Sequence, residues 1–100
     1  MFVHAVYFWL KPDLTKLQLA AFKEGLNSLT TITTVRNAHI GVPAPTDRPV
    51  IERGYSYALV VQFDDAAGQE YYQRVDIHDR FRQNCASFWS KVVIYDSLSG

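Results

Sequence analysis

The chain has one cysteine, Cys85, among its 100 residues. It cannot close an intramolecular disulfide and has no neighbouring ligand pattern for zinc, so it reads as a small core residue. An excess of one charge is also missing: ten Lys and Arg face ten Asp and Glu, with no basic run. The long-range attraction that drives nucleic-acid binding is therefore absent. No apolar run approaches the roughly 20 residues that span a bilayer. The apolar segment Phe2 to Leu10 has no cleavable small-residue site after it, so the expectation is a cytoplasmic protein without membrane contact. There is no Gly-rich phosphate loop, no nucleophile elbow and no His-x-x-x-His pair, and His4, His39 and His78 lack ligand spacing; no metal and no cofactor are expected.

What is present suits a soluble globular chain: 48% apolar and 20% charged residues, too apolar for intrinsic disorder. Residues 1–100 are enough for a single domain with one core. Phe2 to Leu10 is rich in Val, Tyr, Phe and Trp and reads as a strand, with His4, Val6 and Phe8 on one face. Asp13 or Thr15 can cap a helix whose stripe is Leu19, Phe22, Leu26 and Leu29. Gly25 inside it implies close packing or simple tolerance. Val35 to Val42 reads as a second strand, and Pro43, Pro45 and Pro49 mark an exposed loop. Tyr55 to Phe63 alternates as a third strand, with Tyr55, Tyr57, Leu59, Val61 and Phe63 on one face. A short helix capped by Asp64 or Asp65 ends at Tyr71 and Tyr72. Asp76 can cap another, striped by His78, Phe81, Cys85, Phe88 and Trp89, before a last strand at Lys91 to Ser97.

The order is β-α-β-β-α-β, an α+β ferredoxin-like pattern with a four-stranded antiparallel sheet. Aromatic residues on both faces of the sheet favour a partner on the second face, and a homodimer is the expected solution. The usual strand order makes the first and last strands antiparallel neighbours, which brings His4 close to Asp96. Three groups could carry chemistry. His78 is a titratable imidazole in an otherwise apolar stripe. Asp96 shares a face with Val92 and Ile94 and needs a partner if buried; His4 and His78 are the candidates, and a carboxylate orienting an imidazole supports a general base. The Tyr72 phenol can donate to a carbonyl or enolate oxygen. The acidic pairs Asp65/Glu70 and Asp76/Asp79 sit near helix starts, where the dipole alone favours acids.

Taken together, His4 opening the first strand, Gly54-Tyr55 opening the third, His78 three before Phe81, Phe88-Trp89 and Ile94-Tyr95-Asp96 resemble the stress-responsive A/B barrel (Dabb) family, and distantly its plant polyketide cyclase, olivetolic acid cyclase. The resemblance spans nearly the whole chain. It implies a dimeric α+β barrel of two sheets packed face to face, with a pocket between sheet and helices bordered by Phe22, Leu26, Tyr72, His78 and Trp89. It further implies binding of a small hydrophobic or aromatic, polyketide-like molecule, with His78 as base, Tyr72 as oxyanion donor, and Asp96 and His4 shaping the site for aldol-type cyclase chemistry. Two departures stand out: Val75-Asp76 replaces the usual His-Pro, and Leu26 takes the place of the cyclase's pocket tyrosine. Two other readings remain: a non-catalytic, stress-associated dimer, and a cofactor-free monooxygenase of the related barrel type, for which Asn27, Trp89 and His78 supply the residue types.

Overall fold

A computed structural model describes residues Met1–Gly100. In chain order the elements are β1 (Phe2–Leu10), α1 (Lys16–Leu29), β2 (Asn37–Gly41), β3 (Tyr57–Phe63), α2 (Ala66–Arg74), α3 (Asp76–Cys85), a 3-10 turn (Ala86–Phe88) and β4 (Trp89–Leu98). The four strands form one sheet in the order β2-β3-β1-β4, and every neighbouring pair is antiparallel. This is the ferredoxin-like α+β fold, with β1 central and β4 at one edge.

Local sequence sets the helix boundaries. Thr15 caps α1 through a reciprocal capping box with Gln18, the Thr15 hydroxyl accepting from the Gln18 N–H and the Gln18 side chain accepting from the Thr15 N–H. Asp65 caps α2 by accepting from the Gly68 N–H at 3.0 Å. Asp76 does not cap α3: Val75 holds that position in an extended conformation without a side-chain bond, and Asp76 and Asp79 lie in the first turn, where their charge suits the helix dipole.

Strand parity divides the sheet into two unlike faces. Even-numbered β1 residues His4, Val6 and Phe8 are buried beneath the helices, together with Leu59 and Val61 of β3 and Phe22, Leu26 and Leu29 of α1. This is the single hydrophobic core. At Gly25, α1 lies tight against α3: a Cβ there would lie 2.9 Å from both the Cys85 sulfur and Phe81 Cδ1. Close packing therefore explains this glycine, and Cys85 is buried against it.

The opposite face has no helix over it. Tyr7 packs edge-on to Tyr55 and Tyr95 at ring-centroid distances of 5.0 and 6.3 Å, and Tyr95 remains 67% exposed. Tyr55 does not share the face of Tyr57, as strict alternation predicts. The ladder begins at Tyr57, and the preceding chain turns at Ser56, whose N–H donates to the Phe8 carbonyl and whose hydroxyl accepts from the Leu10 N–H. Trp89 is likewise not on α3. It opens β4, where the register slips so that Trp9 faces Lys91 while Leu10 faces Trp89. The extra residue, Ser90, reverses the parity and turns Trp89 onto the helix-covered face, against Phe8 at 5.1 Å and Phe81 at 5.8 Å.

Candidate functional site

Ladder register places the first pair of the site. His4 stands directly opposite Asp96, and Asp96 Oδ1 lies 2.5 Å from His4 Nδ1. The imidazole is 3% exposed and the carboxylate side chain 43% exposed, so the acid sits at the sheet edge and the ring inside. With Asp96 ionised, Nδ1–H donates and the ring is fixed in one orientation. The carboxylate–imidazole pair thus forms on His4 and not on His78.

Behind His4 the side chains follow in a row of edge-on rings. Tyr72 of α2 lies 5.7 Å from His4 and 5.0 Å from His78, centroid to centroid, and is held from the other side by Phe63 at 5.1 Å. Burial pushes the Tyr72 phenol well above its usual range, so it stays protonated and able to donate. His78 enters from α3, its backbone N–H bonded to the Val75 carbonyl at 3.0 Å. Its Nδ1 is buried and has no hydrogen-bond partner in the chain.

Burial is the main cause that lowers the His78 pKa to about 4, with the charges of Arg82 and then His4 adding to it against an opposing pull from Asp79. His78 is therefore a neutral imidazole at pH 7, able to accept a proton and to change tautomer.

These rings close one end of a cavity of about 280 Å³, near the lower limit of small-molecule sites. Val6, Phe8 and Leu59 form its floor, Phe81 and Trp89 one wall, and Val92 and Ile94 the side along β4. Because β4 is an edge strand, that side is open: Val92 is 38% and Ile94 50% exposed. Gln73 and Arg82 also line the cavity, with the Arg82 guanidinium donating to Gln73 Oε1 at 2.9 Å.

Of the residues expected to border the pocket, Tyr72, His78 and Trp89 do so, together with His4. Phe22 and Leu26 do not. Both are 0% exposed, packed in the core beneath α1, because their stripe is the one that docks the helix on the sheet. Asp96 meets the site only through His4. Asn27 lies on the exposed side of α1, donating to the Lys23 carbonyl, so the Asn–Trp–His grouping is not assembled. Arg82 and Gln73 were missed by sequence reasoning. The available signal was Arg82 four residues after His78, on the same helix face. No three His, Cys, Asp or Glu residues gather where they could hold a metal ion, and no helix is long and apolar enough to cross a membrane.

Comparison with solved structures places the fold among well-populated relatives. A dimeric ferredoxin-like protein of unknown function from Thermobifida fusca is 20% identical with a TM-score of 0.78, over 98% of this chain and 90% of that one. A Dabb family protein with a ferredoxin-like fold from Mesorhizobium loti is 21% identical with a TM-score of 0.78, over 98% and 95% of the two chains. The hydroxynitrile lyase of Passiflora edulis is 17% identical with a TM-score of 0.80, over 99% and 93%. No curated protein matches the sequence. Residues 2–99 match the Stress responsive A/B Barrel Domain as a whole, and the chain belongs to that family, Dabb.

Proposed function

We propose that this Dabb protein is a homodimer that takes a small hydrophobic or aromatic molecule into the cavity between sheet and helices, and performs acid–base chemistry on it of the kind an aldol-type cyclase or a lyase uses. The observation that carries the reading is the His78 Nδ1, a buried polar atom without a partner in a residue that lines an apolar cavity. An unsatisfied buried acceptor or donor costs about 1–3 kcal/mol, so its retention in a cavity-lining residue supports a functional role.

The division of labour follows from the protonation states. Neutral His78 takes a proton from an acidic carbon or hydroxyl of the ligand, and the protonated Tyr72 phenol beside it donates to the oxyanion that forms. Since the free imidazole is a weak base, the reaction depends on an anion arising next to it, which stabilises the imidazolium in the apolar surroundings of the cavity. The Asp96–His4 pair holds the third ring in place and polarises the near end of the cavity. The apolar walls, Trp89 and Phe81 above all, orient the ligand body and exclude water. That a similar structure is a hydroxynitrile lyase supports a lyase-type reading as analogy of fold.

Dimerisation is supported by the uncovered face carrying Tyr7, Tyr55 and Tyr95 and by similar structures described as dimeric. Face-to-face packing of two such sheets would bury these rings in a barrel interior.

The test of the chemistry is deuterium exchange at the carbon between the carbonyls of an aryl 3-oxo ester in D2O, followed by proton NMR. Wild-type protein is expected to accelerate exchange about 10²-fold or more over buffer, the usual scale of general-base catalysis, with His78→Ala and Tyr72→Phe each losing most of it. Exchange at the buffer rate, or acceleration that survives His78→Ala, would reject the catalytic role and leave a binding or structural dimer.

A further inference from the structure

The charge lining the cavity is one-sided. No aspartate or glutamate is among its lining residues, and the single permanently charged side chain there is Arg82. Two partners position that guanidinium: one Nη donates to Gln73 Oε1 at 2.9 Å, and the other lies 3.8 Å from the Asp79 carboxylate, a loose and exposed contact. Five donors are available on an arginine, so these contacts leave the fork capacity for a further acceptor. Gln73 belongs to α2 and Arg82 to α3, and their bond sets the cation at the junction of the two helices that also carry Tyr72 and His78.

Resting on the ligand reading above, we propose that the ligand of this cavity is an aromatic or similarly apolar monocarboxylate whose carboxylate is held by Arg82 while its opposite end meets His78 and Tyr72. Arg82 follows His78 by one helical turn, about 6 Å along the axis, which is the span of a short carboxylate-bearing side arm. The planar fork matches a carboxylate in a way a point charge would not. The Arg82 charge is felt inside, since it is one of the causes that hold His78 below its ordinary pKa. Asp79 opposes it there, so the preference for an anion is local to the Arg82 fork at the cavity rim. Apolar contact is supplied by Trp89, Phe81 and Ile94, so the site selects an amphiphile: charge at the rim, ring within.

Phenylacetate and its neutral isostere phenylacetamide separate the charge from the shape. Each is titrated at pH 7 into wild-type protein and Arg82→Gln, reading the ring resonances of His78 and Trp89 by NMR. Wild-type protein is expected to bind the carboxylate about tenfold or more tighter than the amide, as a charge-assisted pair implies. In Arg82→Gln, a change at an exposed side chain, the preference for the carboxylate over the amide should vanish. Equal affinity of wild-type protein for both ligands, or a preference that survives Arg82→Gln, overturns the assignment of the anion while leaving the cavity as the ligand site. If neither ligand moves the His78 or Trp89 resonances, the cavity reading falls and the anion assignment with it.

Discussion

His4 and Asp96 stand opposite each other in the β1–β4 ladder and are joined, Nδ1 to Oδ1, at 2.5 Å. Half of this pair is inside and half at the sheet edge, so it ties the open side of the cavity to the central strand. A charge-assisted bond of this kind contributes about 1.5–3 kcal/mol when fully sheltered, and less with one partner in water. A double-mutant cycle with His4→Asn and Asp96→Asn, read by urea unfolding, should give a coupling of about 1 kcal/mol. Strictly additive losses would mean the two side chains do not act as a pair.

His78 makes stability pH-dependent with a definite sign. Its folded pKa of about 4 lies below the unfolded 6.5, so between those values the unfolded chain binds the extra proton and stability falls with falling pH. The contribution is complete above pH 6.5 and is lost progressively towards pH 4. Its ceiling is about 3 kcal/mol, reduced by whatever water reaches the ring through the cavity. Arg82, Asp79 and His4 are the charged or titratable groups acting on it. Denaturant midpoints measured from pH 7.5 to 4 should fall more steeply for wild type than for His78→Phe; parallel curves would show the ring is not protonated on unfolding.

Gly25→Ala ought to destabilise the protein even though alanine is the better helix former by about 1 kcal/mol. The new methyl would sit 2.9 Å from Phe81 and from the Cys85 sulfur, and overpacking of this kind costs about 1–3 kcal/mol. Thermal unfolding of Gly25→Ala, and of the same change combined with Cys85→Ala, checks the cause. Partial rescue by the smaller residue is expected; a stabilised single variant would show that α1 can shift away freely.

If the uncovered sheet face is the dimer face, Tyr95→Glu should yield a folded monomer, with light scattering reporting half the wild-type mass and circular dichroism unchanged. Placing a charge among Tyr7, Tyr55 and Tyr95 would leave it desolvated between the sheets. Retention of the wild-type mass by that variant would put any association elsewhere.

Strand order was the most legible part of the sequence. The alternation of β1 and β3 and the β-α-β-β-α-β order were enough to place His4 beside Asp96, because antiparallel register leaves little freedom once the strands are adjacent. The residues on α3 were legible through their helical period, His78 and Phe81 included. What the pattern could not carry was parity across an irregularity. Ser90 is one extra residue in β4, and it alone decides that Trp89 faces the cavity from a strand instead of extending the helical stripe. Tyr55 shows the same limit at the other end, where the chain leaves the ladder at Ser56. Phe22 and Leu26 share the apolar stripe that docks α1, and periodicity does not distinguish residues that fill a core from residues that line a void. Only packing does, and it puts both in the core.

The most direct test of the cavity as the ligand site is an NMR titration with a neutral aromatic diketone, 1-phenyl-1,3-butanedione, following the ring signals of His78, Trp89, His39 and Tyr95. Saturable shifts at His78 and Trp89, with His39 on β2 and Tyr95 on the opposite sheet face unmoved, are the predicted result. Shifts confined to Tyr95, or no saturable change at His78, would contradict the site.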